Sequence, residues 1–168
     1  MKSSLTKLWC GLEQILYFSI VKVLHLSVLD KNWEGFMQFV KFGIIGLSNT
    51  VISYILNVAV LLILSPFSVS WDFFAGNMVG FLLSVLWSFY WNNRFVFTMQ
   101  EGQRRSVWKA LLKTYLAYGF TGIILNNILS WLWITKFGIS KFIAPVINLI
   151  VSVPLNFIIN KLWAFRAE

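Results

Sequence analysis

Two cations stand beside asparagines in a way that suits a phosphate ester. Arg94 follows Asn92 and Asn93, and Lys161 follows Asn160. Arginine offers a planar fork of donors and lysine a point charge, and both bind phosphate oxygens. The neighbouring amides would bind phosphate or sugar oxygens. The simpler reading is that both cations are snorkelling anchors that mark a membrane interface. Trp91, Phe95, Phe97, Trp163 and Phe165 surround them. That is the composition of an interfacial aromatic belt, with sugar stacking as a secondary use.

Covalent and metal chemistry have little to work with. No His, Cys or carboxylate pair is placed to share a site, and the serines have no base beside them, so no enzymatic activity is expected. The single cysteine, Cys10, supports neither a disulfide framework nor a metal cluster and reads as a small apolar residue. The single histidine, His25, reads as an interfacial polar residue. No cofactor or metal is implied.

The cations belong to a pattern that occurs twice. Ser84, Ser88, Phe89, Asn92, Phe95 and Phe97 match Ser152, Asn156, Phe157, Asn160, Trp163 and Phe165, position 84 against 152 and so on at an offset of 68. Upstream, Gly43, Gly46 and Thr50 match Gly119, Gly122 and Asn126 at an offset of 76. A duplicated pattern implies a duplicated structural unit. The offset shrinks because the turn inside the second unit is shorter.

The elements that carry this pattern are membrane spans. Of 168 residues, 58% are hydrophobic and only 12% are charged, about half the usual share for a soluble domain. The stretches from about Val40 to Leu64, Phe73 to Asn93, Thr114 to Thr135 and Phe142 to Asn160 carry no charge beyond Lys41 at the first edge. Each approaches the ~20 apolar residues that cross a bilayer. Ser65 and Pro66 break the first. Five cations precede the first span, five lie between the second and third, and two follow the fourth. Lys136 and Lys141 alone lie on the other side. The positive-inside rule then puts both termini and the middle loop in the cytoplasm. The net charge of +8 reports this orientation and contact with anionic membrane lipid, with no nucleic-acid stripe.

The expected fold is all-α: a polytopic membrane protein of four transmembrane helices, arranged as two parallel two-helix repeats. The axis relating the repeats runs along the membrane normal, because two spans return the chain to the same side. Residues 1–38 form an N-terminal extension and 39–168 the membrane domain, with repeats at 39–97 and 114–166. In the extension, Leu5, Leu8, Trp9, Leu12, Leu16, Ile20 and Val23 fall on one side of a helical wheel and Lys7, Gln14, Lys22 and His25 on the other. That describes an amphipathic interfacial helix, with a poor fifth span as the alternative. Each span carries a polar stripe at steps of three and four. Asn49 and Ser53 lie in the first, Ser84 and Ser88 in the second, Asn126 in the third, and Ser152 and Asn156 in the fourth. These residues either pack helices together or line a polar groove for a hydrophilic group.

Three segments resemble the GtrA-like family of small four-helix membrane proteins. They are Phe39–Thr50 with Gly43, Gly46 and Asn49; Ser88–Phe97 with Asn92, Asn93 and Arg94; and Asn156–Phe165 with Asn160 and Lys161. The resemblance covers about Phe36 to Arg166. It implies residence in the cytoplasmic membrane and work on cell-surface polysaccharide, either moving a polyprenyl-phosphate-linked sugar or assisting the glycosyltransferase that makes it. One departure is that Lys161 aligns with Asn93, while Leu162 stands where Arg94 does.

Three functions compete. A flippase would pass sugar and phosphate through the polar stripes while the lipid tail stays in the bilayer. Without a nucleotide motif it would run downhill. A membrane adaptor would use the basic loop Gln103–Lys113 to dock a glycosyltransferase. A proton-coupled exporter needs an intramembrane carboxylate, and none of the six acidic residues falls inside a span. A thin bundle of this kind also suits a homodimer.

Overall fold

The computed structural model describes residues 2–23 and 30–167, all helices and turns. His25 lies outside the described residues. Helix α1 (Lys2–Tyr17) continues into a wide π turn at Phe18–Val23, and α2 spans Trp33–Leu64. Helix α3 is Asp72–Phe95. Helix α4 (Val107–Gly119) runs through a π turn at Phe120–Leu125 into α5 (Asn126–Phe137). Helix α6 (Ala144–Ile159) ends in a further π turn, Asn160–Ala164. Four stretches are long and apolar enough to cross a membrane: Trp33–Phe67, Asp72–Phe95, Val107–Phe137 and Ala144–Ala164. The protein is therefore a multi-pass membrane protein with a short additional N-terminal helix.

The helices outrun the charge-free stretches that announce them. The first begins at Trp33 where the apolar run suggests Val40, and the third begins at Val107 where it suggests Thr114. Charge marks the edge of the hydrocarbon, whereas a helix stops where its backbone is capped. Ser106 supplies such a cap, its hydroxyl accepting from the Lys109 amide at 3.5 Å. At the other end of this span Gly138 takes the left-handed conformation (φ 65°), and its amide returns to the Trp133 carbonyl.

The chain divides into two units, residues 1–40 and 41–168. In the first, Trp33 ties α1 to the beginning of α2. Its indole donates to Glu13 at 3.3 Å, and Tyr17 meets it edge-on at 5.0 Å. Tyr17 also donates to Asp30 at 3.0 Å. Trp9, Leu12, Leu16 and Ile20 are partly buried while Lys7, Gln14 and Lys22 are exposed. Leu8, Ile15 and Phe18 are exposed as well.

The second unit holds two hairpins, each closed by a different device. Helices α2 and α3 meet through glycines. A Cβ on Gly80 would lie 2.8 Å from the Ser53 carbonyl oxygen, and one on Gly76 would lie 2.9 Å from the Asn57 amide nitrogen. Asn57 then donates to Asn77 at 2.8 Å. Helices α5 and α6 meet through one buried amide, Asn148. It accepts from the Trp133 indole at 3.0 Å and donates to Ser130 at 2.7 Å and to the Asn126 side chain. Position 148 is 68 beyond Gly80, so close backbone approach in one hairpin is replaced by a hydrogen-bonded hub in the other.

Gly80→Ala should separate α2 from α3 at a cost of roughly 1–3 kcal/mol, the usual penalty for overpacking. Gly46→Ala meets nothing within 4 Å. It should be neutral or stabilising by up to ~1 kcal/mol from helix propensity. Melting curves in detergent compare the two, and equal melting temperatures would rule out the glycine contact as the closure of this hairpin.

Candidate functional site

The repeated pattern lies on the ends of α3 and α6 that face the cation-rich rim. Ser84, Ser88 and Asn92 sit one helical turn apart on α3 and are 2%, 0% and 1% exposed. Such groups must find partners in a medium without water. Asn92 donates to the Ser88 hydroxyl at 3.1 Å, and Ser84 donates back to the Phe81 carbonyl at 3.2 Å. Ser88 shares a 3.0 Å hydrogen bond with the Tyr118 hydroxyl on α4. On α6, Asn160 is fully buried and donates to the Asn156 carbonyl at 2.8 Å. Thr114 donates to the Asn160 side chain at 3.4 Å, and Thr121 donates to that of Asn156 at 2.8 Å. One face of α4 and its π turn thus serves both asparagine-bearing helices.

The other expected residues are dispersed. Asn126 is engaged with Asn148 toward the far end of the second hairpin. Ser53 lies against Gly80, and Ser152 is half-buried on α6. The side-chain oxygens of Asn49 and Asn92 and the Trp91 indole nitrogen are buried without a hydrogen-bond partner.

At the rim both copies finish alike. The Asn92 carbonyl accepts from the Phe97 amide at 2.8 Å, and the Asn160 carbonyl accepts from the Phe165 amide at 2.8 Å. Both bonds span five residues, and each throws a phenylalanine back over the bundle. Phe97 and Phe165 stack on each other with centroids 4.6 Å apart. Each also stacks on the opposite copy, Phe165 on Phe89 at 5.4 Å and Phe97 on Phe157 at 5.9 Å. Phe42, at the rim end of α2, closes the cluster against Phe97 and Phe157.

Arg105 locks this arrangement from the middle loop. Its guanidinium donates to the Phe165 carbonyl at 2.6 Å and to the Phe97 carbonyl at 3.0 Å, bridging equivalent positions of the two copies. It also donates to the Asn93 side chain and lies 4.9 Å over the Phe165 ring. Burial pulls its pKa below the ordinary arginine value, yet a guanidinium stays charged at neutral pH. Lys113 takes a third carbonyl, that of Trp163, at 3.3 Å.

Arg94 and Lys161 remain toward the outside of this lock. Arg94 is partly exposed, donates to the Tyr90 hydroxyl at 2.6 Å and lies 5.6 Å over the Phe95 ring. Lys161 is exposed, 5.5 Å over the Phe157 ring. Both cations rest on aromatic faces with donors to spare. No group of three His, Cys, Asp or Glu side chains is placed to hold a metal among the described residues. The sequence presents Arg105 as a topogenic charge and as part of the basic loop Gln103–Lys113, not as a bridge, because its partner Phe165 lies 60 residues away. Thr114, Tyr118 and Thr121 did carry a signal, a polar face at steps of four and three, that went unread.

Arg105→Ala should strand the two carbonyls and cost ~1–3 kcal/mol, the usual range for losing bonds to a charged donor. Arg105→Lys should restore only part of this, since one ammonium cannot reproduce a planar fork. Thermal unfolding in detergent measures both, and a wild-type melting temperature for Arg105→Ala would refute the lock.

Comparison with known proteins covers the same region. Residues 41–165 match the family described as GtrA/DPMS, transmembrane domain. The chain is similar to a dolichol-phosphate mannosyltransferase of Pyrococcus furiosus, 29% identical over 143 residues, which are 83% of this chain and 38% of that relative. It therefore spans well under half the length of that relative. With four spans, the repeated rim and this match in agreement, the chain belongs to the GtrA/DPMS transmembrane-domain family.

Proposed function

We propose that this protein moves a polyprenyl-phosphate-linked sugar across the cytoplasmic membrane, without ATP and without enzymatic chemistry of its own. The observation that carries this reading is the buried Ser–Asn ladder that leads to the rim cations. Ser88 on α3 and Asn156 and Asn160 in the fourth span bond across helix seams to Tyr118, Thr121 and Thr114, while Ser84 and Asn92 bond within α3. Hydrogen bonds of this kind exchange for sugar hydroxyls at little net cost, because each broken pair is replaced. Arg94 receives the phosphate, and Lys161 and Asn93 assist at the same rim. Asn49, Ser53, Asn126 and Ser152 extend the polar lining. The lipid tail stays in hydrocarbon throughout. The name of the Pyrococcus relative supports a polyprenyl-type phosphate as the carrier.

The finer architecture belongs to the same proposal. Phe97 with Phe157 and Phe165 with Phe89 are one contact repeated at an offset of 68. That reciprocity is what two parallel hairpins related about the membrane normal would give. Both termini then share the cytoplasmic side with the basic middle loop, α1 lies in the interface against anionic lipid, and two copies can pair.

A second reading has its own support. The relative carries the word mannosyltransferase in its name, and this chain spans only 38% of it. A separate glycosyltransferase would then dock on the basic loop, with this protein as its membrane adaptor. Proteoliposomes holding a short-chain polyprenyl-phosphate sugar separate the two. Arg94→Ala should slow translocation at least about tenfold, the loss of one ~1.4 kcal/mol charge-assisted contact. The fold should remain intact. Wild-type protein that moves no sugar lipid would leave the adaptor reading standing.

A further inference from the structure

The second hairpin is built in three parts of different stiffness. Its rim end is fixed to the first hairpin by the Arg105 bridge and the stacked phenylalanines. The contacts between hairpins continue through Tyr118, which bonds Ser88, and Tyr115, which donates to the Leu82 carbonyl at 2.6 Å and meets the Phe81 ring at 6.0 Å. Beyond Phe81, away from the rim, the described residues form no hydrogen bond or ring contact from one hairpin to the other. There, Asn57 bonds to Asn77 and Asn148 to Asn126, each within its own hairpin.

Both helices of the second hairpin carry a weak point just above the fixed end, a π turn in one and an interior proline in the other. The third span passes through the π turn at Phe120–Leu125. Helix α6 carries Pro154 in its interior. Proline removes the amide that would bond to the Ile150 carbonyl and weakens the helix against bending, and π turns do the same on the facing span. The Thr121–Asn156 bond, 2.8 Å, places the two irregularities at one level. Above that level Asn148 ties α5 and α6 together with bonds to Trp133, Ser130 and Asn126. The first hairpin has no such joint: α2 and α3 run as uninterrupted helices, Trp33–Leu64 and Asp72–Phe95.

We propose that residues 126–153 swing as one body about a joint formed by the π turn at Phe120–Leu125 and Pro154, while the rim stays stapled by Arg105. The seam between the hairpins thus opens at the end away from the cation-rich rim and remains closed at the rim itself. This motion belongs to the helices alone and holds whatever the protein carries.

Electron-spin distance measurements on the full chain in lipid nanodiscs, in a Cys10→Ser background, test it without any cargo. One label pair, Phe67→Cys with Phe142→Cys, reports the far end, where both side chains are exposed. A second, Met99→Cys with Leu162→Cys, reports the rim, where both are again exposed. The far pair should show a broad or multiple distance distribution and the rim pair a single narrow one. Pro154→Ala, which restores the missing amide, should collapse the far distribution toward one population and leave the rim pair unchanged. A far pair as narrow as the rim pair in the unsubstituted Pro154 background would overturn the proposal. So would a far distribution that Pro154→Ala does not narrow.

Discussion

Hydrocarbon offers no hydrogen bonds, and that constraint organises this molecule. A polar group inside a span is costly unless another part of the protein pairs it, a cost that the side-chain oxygens of Asn49 and Asn92 bear. The buried threonines Thr114 and Thr121 meet this constraint by sharing their single hydroxyl protons between a carbonyl one turn back and an asparagine of the fourth span. Apolar side chains contribute less to association here than in water, since leaving lipid for protein gains little. The close helix contacts therefore fall where glycine permits approach, at Gly76 and Gly80, or where an amide reaches across, at Asn148.

The same constraint explains the rim. Helices end with unpaired carbonyls, and near the headgroups these compete for whatever donors are present. Asn92 and Asn160 turn their own carbonyls back to the amides of Phe97 and Phe165, which leaves the phenylalanine carbonyls for Arg105. A cation that appears topogenic by count thus holds the two copies together. Arg94 and Lys161 carry less of this structural burden. They lean on aromatic rings and keep donors available.

The spans and their order were legible in the sequence because each rests on local pattern: charge-free runs and Pro66. Helix starts were not, since Trp33 and Val107 lie beyond the apolar signal, and the start at Val107 depends on the Ser106 cap. The stripe residues were legible as a set but not in their partners. Ser88 and Asn92 had to meet something, yet only the packing of α4 shows that Tyr118 takes Ser88. Arg105 was the least legible, because neither its neighbours nor its spacing points to Phe165.

The duplication also fixes what its two halves can differ in. Positions in the rim cluster keep the same residue in both copies of the pattern: Phe89 packs on Phe165 as Phe157 packs on Phe97, and Asn92 and Asn160 make the same backbone bond. Any change there would disturb both copies at once. Positions away from this cluster are free to diverge. Gly80 became the counterpart of Asn148, and Asn93, which accepts from Arg105, became the counterpart of the exposed Lys161. The amide at 93 is spent on the single arginine that bridges both copies. A second such acceptor at 161 would have no arginine to meet, because the middle loop occurs once. One loop serving two copies is thus enough to make the rim asymmetric, with a bound amide on one side and an unbonded ammonium on the other.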